Sequence, residues 1–384
     1  MTKSTAKLTP AALARSFLFL ASGAALLLAQ QAGAQTPTVT YRVAVESDDG
    51  MDGGIAWQSV YLLKDGRIAS FGTGNHAPNQ SNAMRIIDPV GTPGSVRSYD
   101  MFPWTQDASP PNLSGGQNRY VSNYDNHASI YIPSDNKAIW VNHGVFDFNS
   151  GTWTYGDRPP LTQGYRAFLD DSAVSMEGAF NPSVAWCSQI DKGVWFGNSD
   201  GGYGQDFDVL TVVERSAAGA AKPWKLSTAD LGSQGVAGIS VSRNSAVCIG
   251  DTVYLGGPKN GGGGNVFYKI KVPTKTLVAT LNPWPSASGE YFPQMVYDSA
   301  RNHIVVIGMK IFDYDIVANS WSDVTPSGWP GYRSPMGVYH PTLNAIFFRG
   351  MPANQDFSKY FDWNKITFGP APPRPNAPTN VTAE

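Results

Sequence analysis

The sequence predicts an all-β fold assembled from repeated four-stranded antiparallel units. Composition is the first reason: 40 Gly, 28 Pro, 11 Trp, 17 Tyr and 18 Phe against 15% charged residues suit short strands joined by tight turns better than helices. Spacing is the second. Tyr131 stands 15 residues before Phe146-Asp147-Phe148, and Tyr297 stands 15 residues before Phe312-Asp313-Tyr314. Third, each of these stretches continues into a short strand carrying Trp, Gly151-Thr152-Trp153 and Asn319-Ser320-Trp321.

In chain order, Lys3, Lys7 and Arg15 precede an apolar run from Phe17 to Leu28 and then Ala32-Gly33-Ala34, the order of a secretory signal peptide. Residues 1–34 are therefore expected to be removed, leaving a secreted or periplasmic chain. The apolar run is shorter than the roughly 20 residues of a spanning helix. No second run follows, so no membrane span is expected in the mature chain. What remains suits one large all-β domain over 35–369, big enough to bury a core without disulfide support. A net charge of −2 and the lack of a basic cluster beyond residue 34 exclude nucleic acid as a partner. Cys187 and Cys248 end strands of neighbouring units. An exported chain can keep a disulfide there, but two buried free thiols are the first expectation.

Thr38 to Val45 alternates as a strand does and is expected to pair with the last unit. Six units then start near Gly54, Asn123, Gly178, Gly235, Glu290 and Arg333. Each runs strand, polar turn, strand, loop, strand with Phe-Asp-aromatic, turn, edge strand. A third clear copy runs through Val338-Tyr339, Asn344, Ile346-Phe347-Phe348 and Phe361-Asp362-Trp363. Repeats of this size are the blades of a β-propeller. The reading is six blades, and the long interval between the first two leaves room for a seventh. Pairing of the first and last strands would remove unpaired edges.

Glycines follow the second strand at Leu255-Gly256-Gly257, Ile307-Gly308 and Arg349-Gly350. The order tyrosine, turn, apolar strand with glycine, aromatic-Asp-aromatic and Trp resembles a Kelch repeat, as in the Kelch and galactose-oxidase propellers. It departs from that pattern in keeping the double glycine only at Gly256-Gly257. The stretch 370–384, with Ala377-Pro378-Thr379-Asn380-Val381-Thr382-Ala383, resembles a linker leading into the first strand of a fibronectin type III module, and is set apart from the propeller.

In a propeller the loops leading into the innermost strands surround the mouth of the central channel, where function collects. Pro182, Pro293 and Pro335 each stand three residues before an apolar position of such a strand, at Ala185, Val296 and Val338. Just ahead are Glu177, Glu290 with Tyr291, and Tyr332 with Arg333. The second unit offers Tyr124, Asp125 and His127 there, and the first Asp52 and Trp57. His127, Tyr291, Glu177, Glu290 and Arg333 are the candidate catalytic residues. Tyr291 or His127 would be the general acid or base, and Arg333 would neutralise a carboxylate or oxyanion. Trp57, Tyr124 and Tyr332 are the candidate binding residues, suited to stacking and planar hydrogen bonds. Ordinary polar loops on a wet rim would read the same way. The expectation is a secreted propeller that binds a glycan or another extracellular polymer, a polysaccharide or a protein, at the channel mouth. The alternative is a polysaccharide lyase or hydrolase on the same face.

Tyr339-His340 is similar to the adjacent Tyr-His copper ligands of the galactose oxidases, which makes a copper radical oxidase a third reading. The further Tyr, His and Tyr-linked Cys of that family have no match here, and His340 falls where the preceding unit has Asp298, at a strand-to-turn boundary. His303 falls in the turn slot held elsewhere by Lys137 and Ala345. The loops Asp48 to Asp52 and Asn198 to Asp208 carry oxygen ligands that calcium favours, without EF-hand spacing, and the same residues serve β-turns. Gly261 to Gly264 precedes a strand with no helix after it, so it is no phosphate cradle. No cofactor or metal is expected.

Overall fold

A computed structural model describes residues 39–45, 59–71, 83–89, 100–103, 129–140, 144–155, 169–170, 183–197, 208–218, 224–236, 239, 246–259, 264–285, 293–353 and 363–369. Val39–Phe368 forms one compact unit. Residues 1–38 with 369–384 form a second, of which only Gly369 is described.

The described residues of the first unit build six antiparallel sheets in which consecutive strands are neighbours. Sheet 1 contains β2 (Ser59–Leu62), β3 (Ile68–Phe71), β4 (Ala83–Ile87) and β5 (Asp100–Pro103), and sheet 2 contains β6 (Ser129–Ile132), β7 (Lys137–Trp140), β8 (Gly144–Asp147) and β9 (Thr152–Tyr155). Sheet 3 contains β11 (Ser183–Cys187), β12 (Lys192–Gly197), β13 (Val209–Arg215) and β14 (Trp224–Asp230), with the short β10 (Leu169–Asp170) added parallel to β14. Sheet 4 contains β15 (Ala246–Ile249), β16 (Thr252–Pro258), β17 (Asn265–Lys271) and β18 (Thr276–Thr280). Sheet 5 contains β19 (Gln294–Asp298), β20 (His303–Ile307), β21 (Ile311–Asp315) and β22 (Ser320–Asp323). Sheet 6 contains β23 (Tyr332–His340), β24 (Ala345–Pro352) and β25 (Trp363–Phe368), and its fourth strand is the N-terminal β1 (Val39–Val45). The expected pairing of the first strand with the last unit is present, running from Val39↔Phe368 to Val45↔Trp363.

Apolar residues on both faces of each sheet make the core. Tyr61 of sheet 1 packs with Phe146 of sheet 2, Ile130 with Trp195 of sheet 3, and Leu210 with Leu255 of sheet 4. Phe267 then packs with Phe312 of sheet 5, Val305 with Phe348 of sheet 6, and Phe347 with Ile68 of sheet 1. A buried cluster therefore joins each sheet to the next in sequence, and another joins sheet 6 to sheet 1. Burial declines outward: β20 is buried almost throughout, whereas β18 alternates exposed and half-buried residues, as an outer strand facing water does.

The first hairpin of the repeat keeps one register. Ile132↔Lys137, Asp298↔His303 and His340↔Ala345 are equivalent closing pairs. His303 thus opens a strand rather than sitting in the turn. The tyrosine hydroxyl beside each pair donates to the asparagine five residues on, Tyr131 to Asn136, Tyr297 to Asn302 and Tyr339 to Asn344, at 2.7, 3.0 and 2.9 Å. Those asparagines have φ of 55°, 58° and 45°, the left-handed region that Asn tolerates best after Gly.

The third strand does not keep the register that the 15-residue offset implies. Phe146 pairs with Trp153 and Asp147 with Lys137, but in sheet 5 it is Tyr314 that pairs with Trp321 and Asp315 with His303. Phe312-Asp313-Tyr314 is therefore displaced by two residues from Phe146-Asp147-Phe148. In sheet 6 the equivalent of Phe146 is Ile366, three residues past Trp363. A shift of two leaves every side chain on the same face of its strand, so the sequence pattern survives it.

Candidate functional site

Each of β2, β6, β11, β15, β19 and β23 is the terminal strand of its sheet, and all six border one cavity of about 330 Å³. A terminal strand leaves one row of backbone N–H and C=O groups outside the ladder, so the cavity wall is polar along its backbone whatever its side chains. Gly337 shows this: its carbonyl accepts the Gln294 Nε2–H from the neighbouring sheet at 2.7 Å.

The two ends of these strands differ. Where they end, connections of two to five residues turn the chain directly into the second strand. Where they begin, the chain arrives from the previous sheet through connections of eight to 27 residues, the longest carrying β10. Long connections on a rigid scaffold are where binding residues are normally mounted.

Tyr61, Tyr131, Tyr297 and Tyr339 border the cavity near the tight-turn end. Burial pushes the Tyr131 and Tyr339 hydroxyls up to about 12, in Tyr339 with the Asp298 carboxylate adding to the effect. They stay protonated at any physiological pH and give their protons to asparagines, which makes them braces rather than bases. Near the leading end, Gln294 is 6% exposed, and its Oε1 has no hydrogen-bond partner among the described residues. Among the described residues, no Asp, Glu, Lys, Arg or His borders the cavity.

Of the sequence-chosen residues, His127, Tyr291, Glu177, Glu290, Trp57 and Tyr124 lie outside the described residues. Tyr332 and Arg333 are described, and they part company. Tyr332 is 1% exposed, stacks against Trp329 and Phe348, and its hydroxyl bonds Asn364 Oδ1 at 3.0 Å. That corrects its assignment as a binding platform: the ring is core between sheets 5 and 6. Successive strand residues face opposite ways, so Arg333 points to the other side of β23. It is half-buried and forms no ion pair among the described residues.

The histidines are used by the fold. Leu343 N–H donates to His340 Nδ1 at 3.3 Å, and His340 Nε2 lies 2.9 Å from the Gly66 carbonyl in sheet 1. The ring ties sheet 6 to sheet 1 and caps a turn as Asp298 does in sheet 5 through Ala300 N–H. His303 Nδ1 is 2.9 Å from Asp313, which also holds Arg301 through two bonds of 2.9 and 3.0 Å. Arg301 bonds Asp298 at 2.6 Å and lies 3.6 Å over Phe368 of sheet 6. Burial alone would raise the Asp313 carboxyl, but His303 and Arg301 hold it below the usual carboxylate range. On the neighbouring turns, Arg215 binds Asp191, Asp135 and Ser134, joining sheets 2 and 3. Cys187 and Cys248 form a disulfide between β11 and β15, which corrects the expectation of two free thiols. Of the two calcium-type loops only Asp208 is described, and its carbonyl accepts Leu231 N–H at 2.7 Å.

Sequence reasoning missed Gln294 and the tyrosine braces. Both carried a signal: Gln294 directly follows Pro293, and the tyrosine-to-asparagine spacing recurs at Tyr131, Tyr297 and Tyr339. No protein-family model matches the chain, and no curated protein matches it. Among the described residues, no helix is long and apolar enough to cross a membrane.

Proposed function

We propose that the chain is an exported six-bladed propeller that binds a glycan or a similar extracellular polymer at the leading end of its central channel. The observation that carries this reading is the convergence of six terminal strands on one cavity, with all the long connections arriving at the same end of those strands. Glu177, Glu290, Tyr291, His127, Tyr124 and Trp57, which lie outside the described residues, stand two to six residues ahead of those strands in the sequence, and that spacing supports the reading. Arg333 adds a cation with no ion-pair partner among the described residues. The Cys187–Cys248 bridge suits an oxidising compartment, in keeping with the signal-like first 34 residues.

The test is affinity electrophoresis of the mature protein in gels containing individual extracellular polysaccharides. Retardation by at least one polymer, reduced in Arg333→Ala and kept in Lys271→Ala at the opposite end of the strands, supports the reading. Migration unaffected by every polymer contradicts it. Assaying the retarding polymer for new reducing or unsaturated ends then separates a binder from a lyase or hydrolase built on His127, Tyr291, Glu177, Glu290 and Arg333.

A further inference from the structure

We infer that the cavity is itself a subsite for one uncharged, polyhydroxylated unit, such as a neutral sugar, and that it rejects acidic sugars. The inference deepens the reading above and rests on it for the polymer, because the unit would be the tip of a chain held at the leading end.

The wall selects against charge. Among the described residues its wall carries no acidic or basic side chain, so a carboxylate or ammonium entering between them would lose water and meet no counter-charge from them. The wall also selects against a purely apolar occupant. Six strand edges face the cavity with backbone groups outside their ladders, and an apolar guest would leave those groups unpaired. A polyol both donates and accepts, so it can replace the water such edges require. Gln294 adds a specific anchor. Its Nε2 is fixed on the Gly337 carbonyl while its buried Oε1 has no partner among the described residues. The terminal torsion of a glutamine is soft, so a hydroxyl beside the amide gains an acceptor. Apolar residues such as Val60, Val296 and Val338 also border the cavity and can meet the C–H surface of a sugar. The volume of about 330 Å³ lies at the small end of ligand pockets, roughly 300–1,000 Å³, which fits a single unit rather than a chain.

Saturation-transfer NMR on the mature protein tests this with D-glucose, D-galactose, D-mannose and D-xylose, and with glucuronate and galacturonate as the acidic counterparts. Two variants alter the wall: Val338→Phe reduces its volume, and Gln294→Met removes the amide at nearly constant size. Circular dichroism confirms that each is folded. Saturable transfer to at least one neutral sugar, none to the uronates, and affinity at least tenfold weaker in each folded variant support the subsite, whether or not any polymer is retained in gels. Absence of saturable transfer, equal transfer to the uronates, or affinity unchanged in a folded variant overturns it. Polymer retention and its loss in Arg333→Ala then stand or fall separately as the test of the leading-end reading.

Discussion

Reducing the Cys187–Cys248 bridge should destabilise the protein by an amount that follows from its place in the chain. The cysteines are 61 residues apart in sequence and join the inner strands of sheets 3 and 4. Freeing a loop of that length returns about 14 cal/mol/K of entropy to the unfolded chain, or about 4 kcal/mol at room temperature. At about 1.4 °C per kcal/mol for a unit of this size, the melting temperature falls by about 6 °C. Calorimetry with and without a phosphine reductant, beside Cys187→Ser/Cys248→Ser, measures it, and a thiol titration before reduction gives the oxidation state. The reasoning is refuted if thiols titrate in the unreduced protein, or if reduction exposes both thiols and leaves the melting temperature unchanged.

Asp313→Asn takes from Arg301 its bidentate partner while Asp298 still pairs the charge, and should cost about 1–3 kcal/mol at neutral pH in urea unfolding. Because the folded carboxyl is held below its unfolded value, the stability it supplies is complete above about pH 4 and lost as pH falls through the folded value. The gap between wild type and variant should therefore narrow in acid; a gap that widens there contradicts the assignment. Gly337→Ala drives a methyl into the Phe347 carbonyl and the Phe348 side chain and should cost about 1–3 kcal/mol; a neutral result would contradict the register of β23 on β24. His340→Phe leaves the Gly66 carbonyl and the Leu343 N–H without their partner. It should cost about 1–3 kcal/mol and speed amide exchange at Leu343, and unchanged exchange there would remove the proposed tie between sheets 6 and 1.

What the sequence made legible was local. Alternation in Thr38 to Val45 was enough to place β1, because a half-buried strand must repeat every two residues. The Tyr131, Tyr297 and Tyr339 hairpins were legible because a tyrosine, a polar turn and an apolar strand follow one another within a few residues. The Phe-Asp-aromatic motif misled over register, since a two-residue slip keeps the same faces buried and leaves no mark on the pattern. Asp313 also serves a purpose that no repeat predicts, neutralising Arg301 across a turn and under sheet 6. The same locality limits the site. Tyr332 and Arg333 look like one pair in sequence, but strand geometry sends one into the core and leaves the other on the opposite face. The neutral wall around Gln294 draws residues from six distant strands, and no stretch of sequence displays it.

Amide hydrogen exchange of the protein with and without a polysaccharide that retards it would test the central claim most directly. Binding at the leading end predicts slower exchange at the first residues of β19 and β23 and in the connections that reach them, with the turns at Asn136, Asn302 and Asn344 unchanged. Protection confined to those turns, or to the outer strands β18 and β22, would contradict it.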